Sequence, residues 1–341
     1  MTDIRLCFSY KDTGSPWNGT NTFTRALREH LSRMTGFSIV HDLFGDYDML
    51  FMNELSRGPG SPYALSEIRA ILDGSRNKKL VVRAINLKRN HHFTNHADDF
   101  LGDDPEDRAT LDLLNMADLV IFQSSFQKGF FDRFGYRGKK HKVIHNGASS
   151  VFLGVPGGAK GLEAKGDLIL VSAAMATIST KRQDIIARLS LVPGVRVIHS
   201  GVWPENLDRA KVDLAGVLSH NEMARLYERG HYFLPPAVHD VCPNSLIEGL
   251  CAGLPAIYNP GLGSGRELGG KFGIPLDEND LPGTVARARE EYERLATALA
   301  ADRHYYSIER AAPSYINVFE TVAKGKAITA EPPLRMSYKS P

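Results

Sequence analysis

Short apolar runs that alternate with amphipathic segments are the feature that most limits how this chain can fold. In the first half, Phe37–Val40 and Met49–Met52 predict strands, whereas residues 125–134 carry apolar side chains at helical spacing. A second series of the same kind occupies residues 168–299. Strands that alternate with helices pair in parallel, and the helices cover both faces of the sheet. We therefore predict an α/β fold with two Rossmann-like, doubly wound parallel-sheet domains that face each other across a cleft.

A glycine-rich segment marks the boundary between the two series. Residues 154–166 combine glycine, proline and small side chains, a composition typical of linkers. We therefore predict five segments along the chain. They are an N-terminal Rossmann-like domain (residues 1–153), the linker (154–166), a C-terminal Rossmann-like domain (167–302), a helix that could cross back to the first domain (303–325) and a tail (326–341).

Composition and charge exclude several classes of protein. The 341 residues are 43% hydrophobic and 23% charged with a formal net charge of +2, which is typical of a globular protein and indicates no nucleic-acid partner. The cysteines, Cys7, Cys242 and Cys251, lack the spacing of a metal site. The N-terminus has no signal-peptide pattern, and no run reaches the ~18 apolar residues of a membrane-spanning helix. We therefore expect a cytoplasmic protein without a metal site.

One stretch of the second series combines two acids with the start of a helix. Asp240 and Glu248 are separated by seven residues, and the turn-forming Pro243-Asn244-Ser245 lies between them. We expect Asn244 or Ser245 to cap the helix, because Glu248 stands at the capping-box offset from Ser245. The free N–H groups and the dipole of such a helix start suit a phosphate, with Glu248 near enough to accept hydrogen bonds from a sugar hydroxyl. The alternative is a capped helix that only packs on a sheet.

The stretch from Asp240 to Glu248 and four other segments match, in order, the motifs of a known family. The stretch resembles the acid-x7-acid motif of the retaining glycosyltransferases of family 4 (glycosyl transferases group 1), which have the GT-B architecture. The other matching segments are the run from Glu248 to Pro255, the Ile144-His145-Asn146-Gly147 sequence that ends the first domain, Lys181 after a strand, and the glycine loop that ends in Glu267. The resemblance covers roughly residues 4–325 and is stronger in the second half.

The resemblance implies roles for named residues. Lys181, Asp240 and Glu248 are the implied catalytic residues: Glu248 would accept hydrogen bonds from the ribose, Lys181 would offset charge on the leaving diphosphate, and Asp240 would position the sugar. The backbone at Asn244, Ser245 and Leu246 would hold the diphosphate. Further contacts to the nucleotide sugar are implied for Arg182, Leu218, Ser219 and Gly19. Contacts on the acceptor or sugar side are implied for Asn18, Asn86 and His239.

The sequence departs from the family pattern at three positions. Asp240 replaces the commoner Glu and reaches about one methylene less far, the usual Arg ahead of Lys181 is missing from residues 173–176, and Asn86 replaces a histidine of the first domain. Arg83, on the strand before Asn86, is either a packing residue or an acceptor contact. The polar loop at residues 86–96 is interpreted as an acceptor-binding loop rather than a metal site, because two of its three histidines are adjacent.

The resemblance implies a retaining, metal-independent glycosyltransferase without a cofactor, of the hexosyltransferase kind used in polysaccharide biosynthesis. It would move a sugar from a nucleoside-diphosphate sugar to a hydroxyl of a glycan or a lipid-linked saccharide. The basic residues 137–142 have two interpretations: they contact the inner face of a membrane, or they form a solvated turn. Two alternative functions keep the fold: a nucleotide-sugar epimerase or hydrolase, and a catalytically degenerate protein that binds sugar nucleotides.

Overall fold

Two parallel sheets of six strands form the frame of the molecule. The computed structural model describes residues 3–9, 19–53, 65–74, 78–85, 87, 105–138, 140–163, 166–261 and 263–325. The first sheet has the order β2-β1-β3-β4-β5-β6, and all its neighbouring strands are parallel. Its strands are β1 (Ile4–Phe8), β2 (Phe37–Val40), β3 (Met49–Met52), β4 (Lys79–Arg83), β5 (Leu119–Phe122) and β6 (His141–Val143).

The second sheet is also parallel throughout, with the order β12-β11-β10-β7-β8-β9. Its strands are β7 (Leu168–Ala174), β8 (Val195–Gly201), β9 (Asp213–Gly216), β10 (Tyr232–Phe233), β11 (Ala256–Tyr258) and β12 (Gly273–Pro275). Counted from β7, this is the 3-2-1-4-5-6 order of nucleotide-binding domains, and the order reverses between β7 and β10. The predicted α/β fold with two Rossmann-like sheets is confirmed.

Helices connect the strands of both sheets. They are α1 (Gly19–Ser32), α2 (Leu65–Asp73), α3 (Pro105–Met116), α4 (Ser125–Arg133), α5 (Gln183–Leu189), α6 (His220–Tyr227), α7 (Asn244–Cys251), α8 (Gly265–Gly269), α9 (Leu281–Asp302) and α10 (Ile308–Ala323). Within the described residues, none of these helices is both long and apolar enough to span a bilayer.

The last helix, α10, packs on the first sheet rather than on the second. Tyr315 and Phe319 are fully buried, and their rings lie 6.1 and 5.2 Å from the ring of Phe51 on β3. The chain re-enters the first domain at Ser307, which forms a parallel bridge with Ala148 just after β6. Large aromatic side chains dominate core energetics, so this packing ties the C-terminal helix to the first domain.

The predicted linker is anchored to the second domain by a half-buried lysine, Lys160. The Lys160 ammonium donates hydrogen bonds to the carbonyl oxygens of Tyr227 (2.6 Å) and Gly230 (2.9 Å), at the end of α6. Burial lowers the pKa of Lys160 to about 8. The linker therefore follows the surface of the second domain.

We predict that Gly147, which lies against the start of α10, does not tolerate a side chain. A Cβ at this position would lie 2.6 Å from the Cα of Ile308 and from the carbonyl oxygen of Ser307. Both neighbours are backbone and cannot move aside, so we expect Gly147→Ala to lower the free energy of unfolding by about 2 kcal/mol. Gly154→Ala is the matched control, because a Cβ there meets nothing within 4 Å. Urea denaturation of both variants tests the prediction, and equal stability would contradict it.

Candidate active site

The carboxyl ends of both sheets line one cavity of about 360 Å³. The first domain contributes polar side chains that end or follow its strands, namely Arg83, Gln123 and Asn146, together with Thr22 of α1. The second domain contributes residues that end or follow β7, β9 and β10, around the reversal of strand order where open α/β sheets bind ligands. These include residues 173–175, Lys181, Leu218, His220, residues 240–245 and Glu248.

An ion pair between Lys181 and Asp240 lies in the cavity wall. The Lys181 ammonium donates to Asp240 Oδ2 at 2.8 Å, and Asp240 raises the pKa of the lysine. Asp240 is itself held in place, because its carbonyl oxygen accepts hydrogen bonds from the backbone N–H (2.9 Å) and the hydroxyl (3.0 Å) of Ser264. The pair therefore holds a charged ammonium group at the cavity wall.

Helix α7 begins differently from the prediction. The N-cap is Pro243, which has no side-chain cap, so neither Asn244 nor Ser245 caps the helix and that prediction was wrong. Because the helix starts at Asn244, the capping-box position falls on Leu246 and not on Glu248. The N–H groups of Leu246 and Ile247 bond to the carbonyl oxygen of Pro243. Among the described residues, the N–H of Ser245 has no partner, so it is available at the positive end of the helix.

The carboxyl group of Glu248 lies one turn into α7 and is nearly buried, with 12% of its side chain exposed. It makes no side-chain hydrogen bond within the described part of the chain, and its Oε1 lies 3.9 Å from His220 Nε2. Burial raises the pKa of Glu248 to about 8 and lowers the pKa of His220. At neutral pH the cavity therefore holds a protonated carboxyl group with free hydrogen-bonding capacity.

The structure brings six of the implied site residues to the cavity, namely Lys181, Leu218, Asp240, Asn244, Ser245 and Glu248. Gly19 is the first residue of α1. Asn18, Asn86 and most of the 86–96 loop lie outside the described residues.

Four other implied site residues are not among the residues that line the cavity. Arg182 pairs with Glu278 at 2.7 Å, and its left-handed backbone (φ 50°) separates its side-chain direction from that of Lys181. Ser219 forms a capping box with Glu222 at the start of α6. Leu246 is fully buried in the core, and His239 is buried outside the cavity lining.

A contact between the domains was not predicted from the sequence. The Glu267 carboxylate accepts hydrogen bonds from the N–H groups of Ser125 (2.8 Å) and Phe126 (3.2 Å) at the start of α4, and lies 2.8 Å from His145 Nε2. Burial alone would raise the pKa of Glu267, but these hydrogen bonds outweigh it and the pKa is lowered. The family pattern marks Glu267, but nothing in the sequence indicates which helix it reaches.

Two asparagines form a second link across the cleft. The side-chain amide of Asn146 donates to Asn244 Oδ1 at 2.7 Å, which joins the end of the first sheet to the start of α7. Asn146 lies in the Ile-x-Asn-Gly segment that the sequence singled out without a role. The position of Asn146 after the end of a strand is the sequence signal from which a role at the site could have been predicted.

Comparisons with known proteins relate the chain to others by structure only. No family model matches the sequence, and no curated protein matches it. Sucrose-phosphate synthase from Thermosynechococcus elongatus is similar, with a TM-score of 0.69, 14% identity and coverage of 96% of this chain and 100% of that chain. HepE of Anabaena in complex with UDP and glucose has a TM-score of 0.67 at 15% identity, over 94% and 100% of the two chains.

A third similar structure is a longer chain. S. aureus TarM, in complex with fondaparinux, α-GlcNAc-glycerol and UDP, has a TM-score of 0.56 at 13% identity, over 89% of this chain and 59% of that chain. Together these likenesses show that the chain has the GT-B fold.

The burial of Glu248 predicts an unusual dependence of stability on pH. Its folded pKa of about 8 lies above the ordinary value of 4.5, so the folded state retains a proton that the unfolded state releases. The stability that Glu248 contributes is therefore complete below about pH 4.5 and is lost as the pH rises to about 8. We expect Glu248→Gln to match the wild type closely at pH 4.5 and to exceed its unfolding free energy by up to about 5 kcal/mol at pH 9, since each pKa unit between 4.5 and about 8 is worth about 1.4 kcal/mol.

Chemical denaturation at both pH values measures this difference. Glu222→Gln is the control of opposite sign, because the hydrogen bond from Ser219 lowers the pKa of Glu222. That variant should lose stability relative to the wild type as the pH rises. Equal stability of Glu248→Gln and the wild type at pH 9 would show that burial does not destabilise the carboxylate.

Proposed function

We propose that the cavity binds a nucleoside-diphosphate sugar and that the protein is a glycosyltransferase. The observation that carries the proposal is the combination, on one wall, of the Lys181 ammonium, the open N–H of Ser245 at the start of α7 and the hydrogen-bond-free carboxyl of Glu248 one turn further. The lysine cation and the helix start suit the diphosphate of such a molecule, and the carboxyl group suits its ribose. The similar HepE and TarM structures contain UDP, and this supports the same class of ligand here.

The start of α7 and Lys181 would hold the diphosphate. A helix N-terminus favours negative charge, and its free N–H can donate to a phosphate oxygen. As the glycosidic bond breaks, negative charge grows on the departing diphosphate. Lys181 lies where it can offset that charge, and Asp240 keeps the lysine protonated when no ligand is bound. These fixed positive groups do the work that a metal ion does in other transferases, so we propose a metal-independent reaction.

Glu248 would recognise the ribose. Two neighbouring hydroxyls can donate to the two oxygens of an ionised carboxylate, and such charge-assisted hydrogen bonds are about twice as strong as neutral ones. Ribose binding would therefore favour loss of the proton that burial retains on Glu248. Leu218 lies on the same wall and would contact the base.

The acceptor hydroxyl would approach from the first domain. Thr22, Gln123 and Asn146 face the second-domain wall across the cavity and can orient a hydroxylated acceptor. We propose a carbohydrate or a lipid-linked saccharide as the acceptor and retention of the anomeric configuration. Asp240 is then a positioning group, because its carboxylate is engaged by Lys181.

Ligand-induced stabilisation tests the nucleotide site. We expect UDP to raise the midpoint of thermal unfolding, since a ligand at 100 times its Kd stabilises the folded state by about 2.7 kcal/mol. ADP and GDP serve as comparisons that identify the base. The Glu248→Gln variant should show a smaller shift than the wild type at the same UDP concentration. No shift with any nucleoside diphosphate would contradict the proposal.

Substitution of the cationic group tests the chemistry. We expect Lys181→Ala and Glu248→Ala to lower kcat/KM for sugar transfer by at least ~100-fold, because each removes a group that contacts the nucleotide sugar. Lys271→Ala is the matched control, since Lys271 forms an exposed pair with Asp302 away from the cavity. Circular dichroism verifies that each variant is folded, and wild-type turnover in either would refute the assignment. Conversion of the nucleotide sugar without an acceptor would indicate an epimerase or a hydrolase.

A further inference from the structure

The first-domain wall of the cavity contains a buried arginine whose partners are all uncharged. Arg83 ends β4 and is 1% exposed, and its guanidinium lies 4.5 Å from the ring centroid of Phe23. Its terminal nitrogens donate to the side-chain amide oxygens of Asn53 (2.7 Å), Gln123 (2.7 Å) and Asn146 (2.6 Å). Its Nε–H has no hydrogen-bond partner among the described residues.

Within the described part of the chain, the acids around the cavity do not neutralise this guanidinium. Asp240 pairs with Lys181, and Glu267 contacts His145 and the start of α4. Glu248 retains its proton at neutral pH, since burial raises its pKa to about 8.

Two weak acids near the guanidinium are also uncharged. Burial raises the pKa of the Cys242 thiol and of the Tyr315 phenol to about 12. The Tyr315 hydroxyl lies beside the guanidinium, but it forms no hydrogen bond of good geometry and so does not satisfy the Nε–H.

An uncompensated charge in this position is costly. Arginine stays protonated in proteins, and a buried charge is stable only when it is paired or when polar groups replace its hydration. Three amide oxygens provide part of that replacement but no negative charge. Because the guanidinium lines the cavity, an anionic ligand can supply the missing charge.

We propose that Arg83 is the counter-charge for an anionic group, a phosphate or a carboxylate, carried by the acceptor. The proposal deepens the proposed function and rests on it, since it names the class of acceptor. Two observations favour the acceptor over the diphosphate of the nucleotide sugar. Asn53, Gln123 and Asn146, which follow β3, β5 and β6, hold the guanidinium within the first domain. The hydrogen-bonded pair Asn146–Asn244 lies between it and the start of α7.

Binding measurements on the full-length protein test the proposal. Calorimetric titrations compare glucose 6-phosphate and glucuronate, as anionic probes, with glucose, as a neutral probe, in saturating UDP. We expect the wild type to bind at least one anionic probe at least ~10-fold more tightly than glucose. A hydrogen bond to a charged group contributes enough free energy for a difference of this size. No preference for either anionic sugar over glucose in the wild type would overturn the proposal.

Two substitutions separate the charge of Arg83 from its geometry. Arg83→Met removes the charge and should reduce the anionic preference to about onefold, with the affinity for UDP within about threefold of the wild type. Arg83→Lys keeps the charge and should retain part of the preference, and it serves as the test if the Met variant does not fold. Arg303→Met is the matched control, because in the described part of the chain Arg303 donates to the carbonyl oxygens of Leu153 and Val155, away from the cavity.

The remaining outcomes distinguish this proposal from the proposed function. If Arg83→Met loses affinity for UDP and leaves the anionic preference unchanged, the charge serves the diphosphate and the acceptor assignment is overturned. If the wild type binds no nucleoside diphosphate, the proposed function fails, and the same sugar titrations without UDP still test the anion site. An anionic preference that Arg83→Met and Arg83→Lys both leave unchanged would also overturn the assignment.

Discussion

The packing of α10 on the first sheet is the contact on which the arrangement of the two domains depends. Tyr315 and Phe319 bury their rings against Phe51, so the last helix of the chain completes the core of the first domain. Its return brings Ser307 beside Ala148 and closes the chain around the cleft. Glu267 adds a second link, from α8 to the start of α4. Together these contacts hold the carboxyl ends of the two sheets on opposite sides of one cavity.

The cavity holds groups that are unfavourable in the free protein. Glu248 is a carboxyl with a raised pKa, and Arg83 is a buried cation among neutral amides. Neither arrangement stabilises the fold at neutral pH, because Glu248 must keep a proton that an exposed carboxyl would release, and Arg83 is a desolvated charge without an opposite charge among the described residues. Proteins tolerate such groups where a ligand relieves the cost, which is why the same two residues carry the functional proposals. The Lys181–Asp240 pair differs, since each partner neutralises the other until a ligand arrives.

The regular elements of both sheets were largely predictable. β2 and β3 were predicted with the observed bounds, and α4, predicted at residues 125–134, ends one residue earlier, because burial on one face leaves a periodic pattern. β12 (Gly273–Pro275) and α8 (Gly265–Gly269) were not predicted, since three to five residues are too few to show a period. The cap of α7 was predicted wrongly: Asn244, Ser245 and Pro243 all suit a helix start, and local preference does not decide among them.

The sequence by itself determined the types of element, their alternation, and the spacing of Asp240 and Glu248 on a strand-to-helix connection. These properties are local, since they follow from side-chain periodicity and backbone preference within a few residues. Only the tertiary structure decided which charges are paired. Glu267 meets Ser125 across 142 residues, and Arg83 meets Asn146 across 63. Burial and pairing at such separations depend on how the two domains fold and face each other. A local sequence pattern does not encode this arrangement.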